Sequence, residues 1–285
     1  MFTDTPATPV RVEVLLDVLM QYPNGLKRDV IYNLLQPIRL SGGGQGTAKD
    51  TISAALQLGL AIEKRQSTIT LSTEYNNKKS PQYNILKAAD SKILASLEVE
   101  YHLALFYAYY LGVDKEVYKR SIFNREDWVN QFNKDVFNNE PQNNQFNTTK
   151  HTGLDRWLSY LGLGWYDPSD QFQANPYKRI YRSLPIVFGG KSKMDGDQFI
   201  DKLGEVCPEL DGGHLFLQAN KYRNYSPKAK QCTLGLSHAL VDLHEDGIIK
   251  LDCPVDSRGW NIVLAQPSRD DTIKSDRITL VELRK

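Results

Sequence analysis

Residues 47–72, with the sequence TAKDTISAALQLGLAIEKRQSTITLS, decide the fold predicted for the first part of the chain. Apolar side chains in this stretch recur at the spacing of one helix face. They are Ile52, Ala55, Leu56 and Leu58. Thr47 is placed to be the N-cap residue, and Asp50 follows three positions later, where a capping box usually has Glu. The stretch therefore predicts a helix that begins at Thr47 and ends before Gly59.

The residues on either side of this helix complete a small unit. After the helix, alternating side chains predict strands at 60–62 and 68–72, which are joined by a turn. Before it, apolar residues at helical spacing predict two further helices, in the segments 10–22 and 26–40. The predicted order is three helices followed by a β-hairpin.

This order of elements over residues 9–75 resembles the winged-helix family. A winged helix lays its third helix in the major groove of DNA and its hairpin, the wing, against the backbone or the minor groove. The resemblance therefore implies that this part of the chain binds DNA.

Two later stretches repeat the pattern of a helix, a glycine and a strand. Residues 148–166 contain a helical pattern followed by Gly-Leu-Gly-Trp. Residues 233–264 contain a helical pattern, a strand at 248–251, a turn, and a strand starting at 260, which together predict a second wing. The predicted fold class is α+β and mainly helical, with two or three winged-helix domains joined by a helical middle region.

The repeats predict three domains. They are an N-terminal winged helix at 1–80, a helical middle that includes the second repeat at 81–175, and a C-terminal winged helix at 176–285. Within the middle, 91–133 is predicted to be helical, and 130–147 is predicted to be a polar loop because it holds seven asparagines and three glutamines. The last residues, 277–285, alternate like an edge strand.

Charge and composition exclude several classes of protein. The chain has 285 residues, and 35 basic against 34 acidic side chains give a formal net charge of +1, so any basic surface is local. The longest apolar run, 103–111, is about half of a membrane span. The first residues lack the basic-then-apolar order of a signal peptide, and three cysteines are too few for a disulfide framework. We expect a cytoplasmic protein with no membrane partner.

The first predicted winged helix carries a donor at each position where phosphate contact is expected. Helix N-termini favour phosphate, and neighbouring glycines let the backbone approach it closely. The candidate DNA-binding residues in this part are Lys27, Arg28, Thr47, Lys49, Ser53, Lys64 and Arg65. The acidic Asp50 and Glu63 lie among them and oppose this interpretation.

The last predicted winged helix has a second basic stretch. From Gly212 to Val241 the chain has four basic residues and no acidic one, with Tyr222 and Tyr225 between them. Basic side chains with interleaved aromatic rings are suited to phosphate contact and base stacking. The candidate DNA-binding residues here are Lys221, Arg223, Lys228 and Lys230, together with Arg258 in the predicted second wing.

The sequence contains no convincing catalytic or metal-binding motif. His238 and His244 are six residues apart, which places them on roughly opposite faces of a helix. The carboxylates at 242–246 fall at a helix-to-strand turn, where polar residues are common. The glycine-rich segment 41–47 lacks the Lys-Ser/Thr ending of a phosphate-binding P-loop. We therefore predict a non-enzymatic protein without a metal ion or cofactor.

Aromatic side chains around the second repeat leave another function open. They are Trp157, Trp165, Tyr166 and Phe172. Trp and Tyr are enriched at protein interfaces, although Trp157 fits a core position better. If the rings were exposed, the protein would be an adaptor whose winged helices bind partner proteins.

The length of the chain and its two unlike ends favour a component of a larger DNA-acting machine. The order of predicted elements along the whole chain resembles that of the DpdG-like family. The members of this family are accessory proteins of bacterial DNA-modification and phage-defence operons. The predicted function is a non-enzymatic DNA-binding protein, whose partners are double-stranded DNA and other protein subunits. The protein–protein adaptor is the alternative.

Overall fold

Helices make up most of the chain, and short antiparallel strands complete it. The computed structural model describes residues 7–42, 44–76, 79–94, 101–113, 125–140, 145–168, 172–222, 230–252, 259–263 and 277–284. The helices are α1 Pro9–Gln21, α2 Arg28–Leu35, α3 Gly46–Gln57, α4 Pro81–Lys92, α5 Tyr101–Val113, α6 Arg125–Phe137, α7 Thr148–Tyr160, α8 Tyr177–Phe188, α9 Gly196–Val206, α10 His214–Ala219 and α11 Leu234–Glu245. The strands are β1 Leu26–Lys27, β2 Ala61–Lys64, β3 Thr68–Leu71, β4 Gly164–Tyr166, β5 Phe172–Ala174, β6 Lys193–Asp195, β7 Ile249–Asp252, β8 Trp260–Asn261, β9 Arg277–Ile278 and β10 Leu280–Leu283. The predicted class, mainly helical α+β, is confirmed.

The chain forms two compact units, each assembled from two stretches of sequence. The first unit comprises Met1–Leu103 and Phe146–Tyr160, and the second comprises Ala104–Gln145 and Leu161–Lys285. The division into three domains that the sequence suggested stays a prediction.

The first unit contains the predicted three helices and hairpin. Helix α1 begins with Pro9 in its first turn, where the missing N–H costs nothing. Strands β1, β3 and β2 form an antiparallel sheet in that order, with Leu26 opposite Ile69 and Ala61 opposite Leu71. Leu15, Ile31, Ile52 and other apolar side chains are fully buried and form the core. The helical periodicity read from the sequence thus located the buried faces.

The N-terminus of α3 differs from the prediction. The helix begins at Gly46 with Gln45 as its N-cap residue, so Thr47 lies in the first turn and does not cap it. The Oε1 atom of Gln36, in the turn after α2, accepts a hydrogen bond from the N–H of Ala48 at 3.0 Å. Because this distant side chain satisfies one of the free amides at the helix N-terminus, a Thr47 cap is not needed.

The second unit builds the same order of elements. Its helix α8 is followed by β6, α9, α11, β7 and β10, with the short helix α10 inserted before α11 and the paired strands β8 and β9 inserted between β7 and β10. Strands β6, β10 and β7 form an antiparallel sheet in that order. This is the arrangement of β1, β3 and β2 in the first unit.

Two strand predictions for the C-terminal part are wrong. The tail strand β10 is the central strand of its sheet and not an edge strand, since it pairs with both β6 and β7. The predicted hairpin between the strands at 248–251 and 260–265 is not formed either, because β7 pairs with β10 while β8 pairs with β9. The alternation in the tail marks the buried face of β10, with Val281 fully buried, but it does not reveal whether one or both backbone edges of the strand are paired.

The middle of the chain agrees only in part with the prediction. Helices α4, α5 and α6 confirm the helical character of the described residues between 91 and 133. Helix α6 continues to Phe137 and buries Phe132 and Val136, so the start of the predicted polar loop is helical. The second repeat forms helix α7 and the hairpin of β4 and β5, which belong to different units. In α6, apolar packing therefore outweighed the amide-rich composition of the segment.

Among the described residues, no helix has both the length and the apolar character needed to cross a lipid bilayer.

Candidate nucleic-acid interface

The basic residues predicted in the first unit lie at the start of α2, along α3 and at the β2–β3 hairpin. Lys27, Lys49, Lys64 and Arg65 are exposed, while Thr47, Ser53 and Arg28 are partly buried. Four cations from separate segments of one small unit are therefore accessible to an anionic partner.

The loop between β2 and β3 is a tight three-residue turn. Lys64 is the last residue of β2 and is paired with Thr68, so the loop consists of residues 65–67. Gln66 and Ser67 have φ values of 60° and 55°, which lie in the left-handed region that side chains other than glycine rarely adopt. This turn holds Lys64 and Arg65 at the tip of the hairpin.

The backbone ahead of α3 is open to solvent. A Cβ atom built on Gly42, Gly44 or Gly46 would meet no other atom within 4 Å. Helix N-termini bind anions through their N–H groups and their dipole, provided the anion can approach. The open backbone permits such an approach to α3.

Amide side chains fix the position of α3 against α2. The Nε2 group of Gln45 donates to Oδ1 of Asn33 at 2.9 Å, and the Ala48 N–H donates to Gln36. These contacts join residues twelve positions apart. They orient the start of α3 without placing any charge there.

Arg28 forms an ion pair that sequence reasoning did not find. Its Nε and Nη2 atoms each lie 2.8 Å from an oxygen of Glu63, and its Nη1 atom donates to the hydroxyl of Tyr32 at 3.4 Å. The hydrogen bond to Arg28 lowers the pKa of Glu63, and the same bond raises the pKa of Arg28. The two residues are 35 positions apart, so no local signal pointed to this pair.

The second basic stretch lies only partly within the described residues. Lys221 is exposed, and its Nζ atom lies 5.0 Å from the ring centroid of Tyr222. Lys230 has a left-handed φ of 61°, and its Nζ atom lies 2.8 Å from a carboxylate oxygen of Asp197. Arg223, Lys228 and Arg258 lie outside the described residues, as does Tyr225.

Helix α11 occupies the place in the second unit that α3 occupies in the first, and it is largely covered. Glu245 is the one exposed side chain among its described residues. A Cβ atom built on Gly235 would lie 2.6 Å from Leu111 and 3.0 Å from the carbonyl oxygen of Ala174. The start of α11 therefore lies against neighbouring segments of its unit, and the groove contact predicted for this helix stays a prediction.

A buried polar network lies behind the second unit's helices. The guanidinium of Arg179 donates to Glu209 at 2.9 Å and to Ser183 at 2.8 Å, and the side chains of both Arg179 and Glu209 are almost fully buried. Asp211 accepts two hydrogen bonds from Thr233, the N-cap residue of α11, at 2.6 and 2.8 Å. Because it is enclosed, the network holds α8 and α11 in place and offers no access to a ligand.

The polar residues considered for chemistry have structural partners. Asp242 accepts from the amide of Asn175, and Asp246 accepts from the hydroxyl of Tyr177. Burial, together with this hydrogen bond to Asp246, raises the pKa of Tyr177 to about 12. His244 is buried, and its Nδ1 atom accepts from the N–H of Leu251. Across the described ranges, no group of three or more His, Cys, Asp and Glu side chains is arranged to hold a metal ion.

The aromatic residues of the second repeat divide into core and surface. Trp157 is fully buried, and its indole N–H donates to the carbonyl of Ala7 at 2.9 Å, which confirms the core interpretation. Phe172 is also buried, whereas 52% of Trp165 is exposed.

Sequence reasoning missed an exposed apolar surface on the first unit. We call it the α2 patch, and it extends from α2 into the turn that follows. Its members are Val30, Leu34, Ile38 and Leu40, with between 41% and 86% of each exposed. The four-residue spacing of Val30 and Leu34 predicts one helix face, but the sequence did not show that both side chains remain exposed.

The chain is a mainly helical α+β protein. Each of its two units has three helices and a three-stranded sheet in matching order, and the first unit has exposed cations on β1, α3 and the β2–β3 hairpin. A family model described as DpdG-like matches residues 1–257. The chain therefore belongs to the DpdG-like family, which supports the association with DNA-modification and phage-defence operons. No match was found among curated proteins or among solved structures.

Proposed function

We propose that this protein is a non-enzymatic DNA-binding component of a bacterial DNA-modification or phage-defence system, and that its first unit contacts duplex DNA. The observation that carries the proposal is the set of exposed cations on β1, α3 and the β2–β3 hairpin of the first unit. Lys27, Lys49, Lys64 and Arg65 come from β1, α3, β2 and the following turn, and all four side chains are exposed.

The proposal interprets the first unit as a winged helix. The order of α1, β1, α2, α3, β2 and β3, with a sheet in the order β1, β3, β2, supports this interpretation. In it, α3 is the groove-facing helix and the β2–β3 hairpin is the wing. Helix α3 has an accessible face that includes Lys49 and Ser53, in contrast to the covered α11.

The expected binding is dominated by phosphate contacts. Each neutralised phosphate lowers the logarithm of affinity by about 0.9 per tenfold increase in salt. Four phosphate contacts would give a slope of about −3.6 in a plot of the logarithm of affinity against the logarithm of salt concentration. The net charge of only +1 means that this slope depends on local cations and not on a general attraction.

Fluorescence anisotropy with a labelled random duplex, titrated at several salt concentrations from about 50 mM upward, tests the proposal. We expect K64A/R65A to weaken binding about tenfold and to make the salt slope shallower by nearly two contacts. The variant K191A/K250A removes two exposed lysines of the second unit and serves as the control for lost charge. Equal affinities of the two variants would reject the hairpin as a contact, and no binding of the unmodified protein at low salt would reject the function.

The α2 patch supports a second function, a protein–protein adaptor. Contiguous exposed apolar side chains mark interaction surfaces more often than isolated ones do. If the adaptor function is correct, L34E/I38E will abolish copurification with another protein of the same operon while leaving duplex binding unchanged. In both functions we propose that other protein subunits are partners and that the protein acts in the cytoplasm.

A further inference from the structure

In the first unit, the guanidinium of Arg28 holds Glu63 in a geometry that a phosphate can also adopt. The Nε–Oε1 and Nη2–Oε2 distances are both 2.8 Å, so two parallel hydrogen bonds join the groups. A phosphate presents a matching pair of oxygens to the same fork of donors. Arg28 is also the first residue of α2, where the helix dipole favours an anion. Glu63 therefore fills a position that suits a phosphate.

The ion pair is accessible to water and to DNA. The exposed fractions of the two side chains are 25% for Arg28 and 36% for Glu63. Exposed ion pairs are weak because water already solvates both charges well. Lys27 precedes Arg28 in the chain and Lys64 follows Glu63, and both lysines are exposed. A DNA backbone that reaches these lysines thus arrives beside the pair.

We infer that Arg28 exchanges the carboxylate of Glu63 for a backbone phosphate when duplex DNA binds, and that Glu63 thereby limits the affinity of the interface. This inference rests on the proposed function. In the free protein the carboxylate neutralises Arg28. In the complex the phosphate takes both hydrogen bonds, and the displaced carboxylate returns to water next to a polyanion.

The variant E63Q tests the exchange, because it removes the competing charge and keeps the size of the side chain. We expect E63Q to bind duplex about threefold more tightly than the unmodified protein at low salt, as the loss of one weak ion pair predicts. The control is E74Q, which makes the same change of net charge. Its Glu74 forms an exposed ion pair with Lys87 at 3.3 Å.

The variants R28Q and R28Q/E63Q separate the exchange from general repulsion. If Arg28 takes the phosphate, E63Q increases duplex affinity more than E74Q does when Arg28 is present. In the R28Q background this extra increase in affinity from E63Q disappears. Thermal unfolding of each variant verifies that the first unit remains folded.

Three results would overturn the inference. Equal affinities of E63Q and E74Q, or the same gain from E63Q with and without Arg28, would reject the exchange while the proposed function stands. Failure of both the unmodified protein and E63Q to bind duplex would reject the proposed function and the exchange together.

Discussion

The two units share a core of three helices and a three-stranded sheet in matching order, and they differ in what surrounds the last of these helices, which is α3 in the first unit and α11 in the second. In the first unit the backbone before α3 has free space around Gly42, Gly44 and Gly46. In the second unit Leu111 and Ala174 close over the start of α11. An element order typical of DNA-binding domains is therefore not enough to identify a DNA contact. The environment of the helix decides whether a groove can reach it.

The arginine–glutamate pairs of the two units show a second difference. Arg28 and Glu63 form their pair at the surface, and both side chains retain contact with water. Arg179 and Glu209 form theirs in the interior, where only 3% and 0% of the side chains are exposed. An exposed pair can exchange partners at little cost, whereas a buried pair cannot separate without leaving a charge unsolvated. The exposed pair is compatible with the exchange proposed above, and the buried pair is compatible with a structural role.

The largest effect is expected from breaking the buried pair. Replacement R179M leaves Glu209 as an uncompensated buried charge, and we expect it to lower the free energy of unfolding by about 3–5 kcal/mol. R28Q removes the exposed arginine of the first unit and should leave the urea midpoint nearly unchanged. Urea denaturation followed by tryptophan fluorescence measures both. Similar losses in the two variants would remove the distinction between the pairs.

A smaller loss is expected from the cap of α11. Asp211 accepts from both the N–H and the hydroxyl of Thr233, so D211N replaces one of the two acceptor oxygens with an amide donor that faces a donor. We expect D211N to lower the free energy of unfolding by about 1–3 kcal/mol. The exposed Asp201 of α9 provides the matched control in D201N. If both variants unfolded at the same urea concentration, Asp211 would not be needed to anchor the covered helix.

Duplex binding should also distinguish the two units. Lys221 and Lys230 of the second unit remain predicted contacts, but Lys230 is already paired with Asp197. We therefore expect K221A/K230A to weaken duplex binding less than the roughly tenfold loss in K64A/R65A. Anisotropy titrations under the same salt conditions measure the difference. A larger loss in K221A/K230A would move the interface to the second unit.

The smallest effect concerns the pH dependence of the first unit. Burial lowers the pKa of His102 to about 4, and the nearby charge of Lys150 acts in the same direction. The unfolded chain, with a histidine pKa near 6.5, binds this proton more readily, so stability decreases as the pH falls from about 6.5 to about 4. The melting temperature of H102Q should therefore decrease less between pH 7 and pH 5 than that of the unmodified protein. Identical losses would show that His102 is not the group responsible.

Local sequence patterns predicted most of the elements in both units. The apolar spacing around Ile52 and Leu240 located helices whose buried faces the structure confirms. Such patterns succeed because each helix must hide one stripe of side chains, whatever it packs against. The same reasoning failed for the pairing of β7 with β10, since 27 residues separate Asp252 from Leu280 and no local pattern selects the partner.

The candidate site was predictable only as a set of residue types. Lys27, Lys49, Lys64 and Arg65 could be chosen from the sequence, and the structure places all four on the surface. The partner of Arg28 could not be chosen, because an ion pair across 35 residues depends on how α2 and β2 pack.

The sequence by itself determined where most of the helices form, which stripe of side chains is buried in many of them, and that the charges nearly cancel. These properties follow from the order of neighbouring side chains, which the chain carries in any conformation. The tertiary structure alone decided that α3 is open while α11 is covered, and that Arg28 and Arg179 have carboxylate partners with opposite exposure to water. Those properties depend on which distant segments meet and on how much water they exclude, and both are set only when the chain has folded.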